Sequence, residues 1–216
     1  GCCQRNHYCL ACFITLRQAF LILYYLHQPM TTIIYAHPYD GSFNHAVLQE
    51  IIKSLEKAGQ SYTVIDLYAD GFNPAIEAPD LRLYSRGETT DPLVEKYLKT
   101  LLSTDRLIFI FPVWWGMMPA IVKGFFDKVL LVGSAYRYSE DGALIPNKIN
   151  IRRTLMLTTS QSPADKFKPF FAEYLKETIC DAVGFHNLEW IDCEQTAHGP
   201  AKNREEFLRT ACEKAV

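Results

Sequence analysis

Phe109-Ile-Phe-Pro-Val-Trp-Trp-Gly-Met-Met-Pro-Ala-Ile-Val-Lys-Gly-Phe-Phe-Asp-Lys-Val129 decides the fold. Its first residues complete an apolar run that starts at Arg106, the pattern of a strand buried on both faces. Trp114, Trp115 and Gly116 then form a short loop, and Pro119 opens a helix, a position where proline is well tolerated. Strand, aromatic loop and helix in that order make one unit of an α/β sheet. The loop falls at the carboxyl end of the strand, where such sheets hold planar ligands.

The same alternation extends in both directions. Upstream, Thr31 to Ala36 reads as a first strand and Asn44 to Ala58 as a helix with an apolar stripe at Val47, Leu48, Ile51, Ile52 and Leu55, which Gly59 can end. Tyr62 to Asp66 is a second strand. Gly71 to Pro92 has no firm period and several breakers, so it reads as a surface excursion, followed by a helix over Leu93 to Leu102. Downstream, the helix from Pro119 to Leu131 precedes a second excursion, Gly133 to Arg153. Thr154 to Thr158 is a fourth strand, Lys168 to Val183 a helix stopped by Gly184, Leu188 to Asp192 a fifth strand and Ala201 to Ala215 a closing helix. Five strands alternating with helices predict a doubly wound, five-stranded parallel sheet with helices on both faces.

Bulk properties agree with one sizeable α/β domain. The 216 residues are 49% apolar and 21% charged, and the formal net charge of -2 lacks the basic face of a nucleic-acid binder. Residues 1-29 stand apart. They hold Cys2, Cys3, Cys9 and Cys12, and the apolar run Cys9 to Leu26 carries Arg17 near its middle, which a membrane span tolerates poorly. Structural zinc sites usually pair two separated knuckles, so these cysteines are not read as a metal site. Residues 1-29 are therefore expected to be a leader outside the domain, and 30-216 the domain itself, with a membrane anchor as the less favoured alternative. Cys180, Cys193 and Cys212 are scattered singly, as reduced thiols of a cytoplasmic protein would be.

Three loops share one sheet edge in this reading. His37-Pro-Tyr-Asp-Gly-Ser-Phe-Asn44 leaves the first strand and enters a helix, so helix amides point into it. Ser42 and Asn44 suit phosphate oxygens, and equally suit helix capping. The loop is neither a G-x-G-x-x-G fingerprint nor a Walker A loop. In Pro112-Val113-Trp114-Trp115-Gly116, backbone amides and an aromatic edge could meet a flat ring; the tryptophans could also roof the core or form a dimer contact. Adjacent residues of an extended stretch point oppositely, so at least one tryptophan is expected at a site or interface. Thr158, Thr159, Ser160 and Gln161 offer hydroxyls and amides to a ring's polar edge, or make an ordinary polar turn.

A series of motifs then falls in one order: His37-Pro, Ser42-Phe-Asn44, Asp66-Leu-Tyr68, Phe72-Asn-Pro74, Phe111-Pro-Val-Trp-Trp115, Pro119-Ala-Ile-Val-Lys-Gly124, Ala135-Tyr-Arg-Tyr138 and Thr158-Thr159. From Met30 onward the chain resembles the flavodoxin-like NAD(P)H:quinone oxidoreductases, DT-diaphorase and its bacterial relatives. The resemblance implies a flavodoxin-like fold and a flavin, FAD with FMN as the alternative. It implies NAD(P)H as cosubstrate, a quinone-like flat acceptor, ping-pong two-electron transfer and a homodimer. It assigns His37, Phe43 and Asn44 to the flavin phosphate, Val113 to Gly116 and Thr158 to Gln161 to the ring, and Tyr136 and Tyr138 to the substrate pocket.

The chain departs from that pattern where relatives carry a double glycine after the paired threonines. Ser160 and Gln161 stand there. The tyrosine and histidine that follow in the mammalian enzymes have no match in Pro163 to Phe167, which leaves the proton-handling residues unassigned. A nitro- or azo-compound reductase would differ only in acceptor. An ancillary flavoprotein subunit of a membrane transporter is the rival class, and turnover by a protein starting at Met30 separates the two.

Overall fold

The structure, a computed structural model, describes residues 29–216. The expected leader and the amino-terminal cysteines lie outside the described residues. Five parallel strands form the sheet: β1 (Thr31–Tyr35), β2 (Tyr62–Asp66), β3 (Arg106–Pro112), β6 (Arg153–Thr159) and β7 (Leu188–Cys193), in the order β2-β1-β3-β6-β7. β4 (Tyr136–Tyr138) and β5 (Leu144–Pro146) pair as a separate antiparallel hairpin inside the second excursion. The helices are α1 (Phe43–Lys57), α2 (Ala78–Tyr84), α3 (Pro92–Leu102), α4 (Ala120–Val129), the short α5 (Asp181–Val183) and α6 (Ala201–Ala215).

Alternation of side chains along each buried strand produces two cores. Ile34, Phe109, Phe111 and Met156 face one side, under α3, α4 and the segment that precedes α5. Ile33, Tyr35, Ile108, Ile110, Leu155 and Leu157 face the other, under α1 and α6. The registers continue to the site edge: Pro112 lies opposite Thr159, and Thr159 opposite Cys193. With β1 beside both β2 and β3, the strand order reverses at β1/β3, and the crevice outside their carboxyl ends is the topological switch point.

Two excursions carry structure that periodicity did not announce. α2 is one such element, a seven-residue helix with no buried residue, begun by Glu77 and Asp80 in a capping box. A close approach pins its loop to the domain: a Cβ on Gly124 would lie 2.3 Å from the Pro74 side chain, so only glycine lets α4 meet Pro74. The expected helix over Lys168 to Val183 is present as a helical segment but is π-helical over Pro169–Tyr174 and Lys176–Cys180 before α5. The sequence explains the wider turn. Phe171, Leu175 and Cys180 are its fully buried side chains, spaced four and five residues apart, a period nearer to i→i+5 bonding than to the α-helix. Gly184 ends the segment in the left-handed region, at φ 79°.

Candidate active site

A cavity of about 280 Å³ opens at the switch point, between the loops that follow β1, β3, β6 and β7. A broader hollow lies on one face of α3, lined by Pro92, Glu95, Lys96, Lys99, Thr100 and Ser103, where no second element converges.

The β1 loop supplies His37, Ser42, Phe43 and Asn44 to the cavity. Ser42 Oγ accepts from the His45 amide at 3.1 Å, so it caps α1, one of the two roles its position allowed. Tyr39 N–H donates to His37 Nδ1 at 3.1 Å, which places the proton of the neutral ring on Nε2. Burial pushes this imidazole below its ordinary value. Asn44 is buried; its Nδ2 donates to Thr159 Oγ1 at 2.9 Å, a bond that ties the first loop to the third. Its Oδ1 is buried without a partner. Turning that amide lets Thr159 donate to Oδ1 and presents the Asn44 NH₂ to an anion, at the same helix end whose amides favour one.

The β3 loop contributes Pro112, Val113 and Trp114. Val113 N–H donates to Thr159 O at 2.8 Å, extending the β3–β6 pairing to the cavity floor. Trp114 and Met117 exchange backbone bonds of 3.0 and 3.1 Å around Trp115 and Gly116, whose φ angles are 54° and 78°. Two central residues at positive φ define a type I′ turn, easy for glycine and strained for tryptophan. The turn separates the two rings. Trp114 lines the cavity and meets His37 edge-on at 6.0 Å, while Trp115 projects wholly into solvent.

The β6 loop contributes Thr159, Ser160 and Gln161. Thr158 is not among the lining residues, and its hydroxyl is turned away from the cavity. It is fully buried, accepts from Trp190 Nε1 at 3.0 Å and donates to Asp192 Oδ1 at 2.6 Å. Ser160 Oγ lies 2.6 Å from Asp192 Oδ2, so loop three offers mainly backbone and the Thr159 hydroxyl to the cavity. With its amide oxygen turned inward, Gln161 accepts from Ala197 N at 2.6 Å and Thr196 N at 3.2 Å.

Those contacts bring in residues that sequence reasoning passed over. Thr196 and Ala197 complete the wall from the loop after β7, and Asp192 stands behind it. Ten of the predicted cofactor residues therefore line one cavity, and Trp115, Gly116 and Thr158 do not. Tyr136 and Tyr138 sit on the β4–β5 hairpin, their rings perpendicular at 5.8 Å. Tyr138 is exposed, whereas Tyr136 packs into the core; burial, then the neighbouring Tyr84 phenol, raises its pKa. Tyr136 therefore supports the hairpin, and neither tyrosine is among the residues lining the cavity.

Comparison with known proteins agrees with this geometry. A family model described as the flavodoxin-like fold matches residues 30–215. Rat NAD(P)H dehydrogenase (quinone) 1 is 34% identical over 124 residues, which cover 50% of this chain and 45% of that protein. An uncharacterized NAD(P)H oxidoreductase of Haemophilus influenzae is 32% identical over 142 residues, covering 64% of this chain and 67% of the relative. The chain thus spans about half the length of the rat relative and two thirds of the bacterial one. Among solved structures, the NAD(P)H:quinone oxidoreductase of Methanothermobacter marburgensis superposes with a TM-score of 0.74 at 27% identity, over 88% of this chain and 98% of that one. Sheet order, switch-point cavity and family match converge: the chain belongs to the flavodoxin-like fold family.

Proposed function

We propose that the chain is a flavin-dependent NAD(P)H oxidoreductase that passes two electrons to a quinone or a similar flat acceptor. The observation that carries the reading is the single cavity in which an anion-binding helix end, an aromatic wall and a polar loop meet. The Asn44 amide supplies the fit: Thr159 occupies one end of it, and with Oδ1 taking the Thr159 hydroxyl the NH₂ is left for an anionic ligand at the helix amino terminus. The matching names, a quinone dehydrogenase in rat and a quinone oxidoreductase in Methanothermobacter marburgensis, support the same chemistry.

The amides that open α1, with Asn44 and His37 Nε2–H, hold the phosphate. Val113 and Trp114 bound the ring on one side, and the backbone of Thr159, Ser160 and Gln161 meets its polar edge. A bound flavin supplies two-electron exchange between NAD(P)H and the acceptor. The protein orients it, keeps water from one face and places amide dipoles where negative charge develops. Reductant and acceptor use one open face in turn, giving ping-pong kinetics. The sequence leaned toward FAD, but the lining residues form one phosphate cradle, and FMN is the proposed cofactor. A Bacillus anthracis azoreductase of the same fold is solved in complex with FMN. A second copy completes the acceptor site by covering the exposed Trp114, Trp115 and Met117.

An absorption spectrum of the protein reconstituted with FMN or FAD tests the reading. The expected flavin spectrum bleaches with NADH or NADPH and recovers when a quinone is added. Failure to bind either flavin overturns the site assignment.

A further inference from the structure

Five polar groups at the carboxyl ends of β6 and β7 form one chain of hydrogen bonds. Trp190 Nε1–H donates to Thr158 Oγ1 at 3.0 Å, and Thr158 Oγ1–H donates to Asp192 Oδ1 at 2.6 Å. Asp192 Oδ2 lies 2.6 Å from Ser160 Oγ, which lies 2.9 Å from the Ser162 carbonyl oxygen. The protons can be counted. An ionised Asp192 leaves the single Ser160 proton with two acceptors, so one of the two short contacts has no hydrogen. A proton on Asp192 Oδ2 removes the conflict. Asp192 then donates to Ser160, Ser160 donates to Ser162, and every link in the chain carries one proton.

We propose that this arrangement favours the protonated form of Asp192, a positioning residue that in its neutral state fixes the Thr159–Gln161 wall and keeps negative charge from behind it. The charge argument rests on the proposed flavin, whose reduced ring is anionic; the proton assignment does not. Burial, the largest influence on this carboxyl, acts in the same direction. Burial pushes the Asp192 carboxyl up, the Ser160 and Thr158 hydroxyls oppose it, and Glu194 adds charge of the same sign.

The other groups near it are known. Cys193 follows on the same strand, and Arg204 of α6 bears on that thiol while donating to Thr196 O at 2.8 Å and Gly199 O at 3.2 Å. Strand β6 presents only the two hydroxyls, and the π-helical segment presents Phe171, stacked on Trp190 at 5.7 Å. Ionisation would turn the Ser160 proton back to Asp192 and release the Ser162 carbonyl. It would also place a negative charge behind the cavity wall, so an anionic ligand binds best while Asp192 is protonated.

Side-chain ¹³C NMR of the full chain without flavin, followed against pH, tests the proton directly. Asp192 is expected to titrate above the ordinary value of about 3.9. FMN titrations of variants test the role. Asp192→Asn reproduces the neutral acid, donating to Ser160 and accepting from Thr158. It should stay within about threefold of wild-type affinity at acid pH and lose the weakening seen as pH rises, whereas Asp192→Ala should lose about tenfold. Should Asp192→Ala not fold, Ser160→Ala provides the second arm: its FMN affinity should fall while the Asp192 titration moves. A carboxyl titrating at or below the ordinary value overturns the proposal, and so does Asp192→Asn binding as weakly as an alanine variant. Wild-type protein that binds no flavin would overturn the cofactor reading alone, and the carboxyl titration would still decide the proton.

Discussion

Asn44 joins two loops that are 115 residues apart in the chain, through its 2.9 Å bond to Thr159. Asn44→Ala removes the bond and the side-chain amide that reaches the cavity from α1's first turn. Flavin affinity should fall about tenfold and stability by about 1 kcal/mol, read by fluorescence titration and urea unfolding. Trp115 gives a prediction of opposite sign. Its φ of 54° suits asparagine or glycine, so Trp115→Gly should stabilise the monomer by about 1 kcal/mol. The same change should weaken the proposed dimer, measured by sedimentation, because it deletes a fully exposed indole. His37 adds a pH dependence. Burial lowers its folded-state pKa, so the unfolded chain binds more protons as pH drops below about 6.5. Its contribution to stability is present above that pH and is lost as pH falls, a slope that His37→Gln should flatten. At this scale the sequence was legible where chemistry was concentrated. Ser42, Asn44 and Trp114 stood out, while Thr196 and Ala197 sit in a loop with no distinctive residue type, and Thr158 looked like a ligand although its hydroxyl turns toward Asp192.

Elements were readable wherever an apolar period persisted. β3 is a nearly continuous apolar run, β1 and β6 carry the apolar cores Ile33–Tyr35 and Leu155–Leu157 beside buried threonines, and α6 spans Ala201–Ala215 as expected. α2 buries no side chain, so it left no stripe to find; its local signals were the Glu77/Asp80 capping box and Pro79 in its first turn. The β4–β5 hairpin is three residues per strand, too short for alternation to register. Between α3 and α4 lies an ion pair that position alone could not have shown. Lys128 Nζ, nearly inaccessible, donates to Asp91 Oδ2 at 2.9 Å and to Asn73 O at 3.1 Å, joining both helices to the first excursion. Burial raises the Asp91 pKa, but Lys128 and the α3 amides outweigh it and hold the carboxyl below its ordinary value. Lys128→Met leaves that carboxylate half-buried and unpaired. It should cost about 3 kcal/mol in urea unfolding, with the loss shrinking as pH falls below about 4 and Asp91 protonates.

The whole molecule explains why these pieces share one cavity. Reversal of strand order at β1/β3 leaves the carboxyl ends of both strands uncovered, and the registers to β6 and β7 carry Thr159, Asp192 and Cys193 to the same edge. Among the described residues no helix is long and apolar enough to cross a membrane. A ligand seated at this edge touches loops after four strands and so couples them. Because it binds the folded state alone, it must stabilise the domain by mass action. FMN at a hundredfold excess over its Kd should add about 2.7 kcal/mol, which for a domain of this size raises Tm by about 5–10 °C. The shift should grow logarithmically with FMN concentration. Asn44→Ala should need about tenfold more FMN for the same shift, because the lost contact acts only through the bound state. Riboflavin, which keeps the ring and lacks the phosphate, separates the two halves of the cavity: the α1 amino terminus predicts a much smaller shift for it than for FMN. Equal shifts would mean that the helix end holds no phosphate and that the ring walls alone carry the affinity.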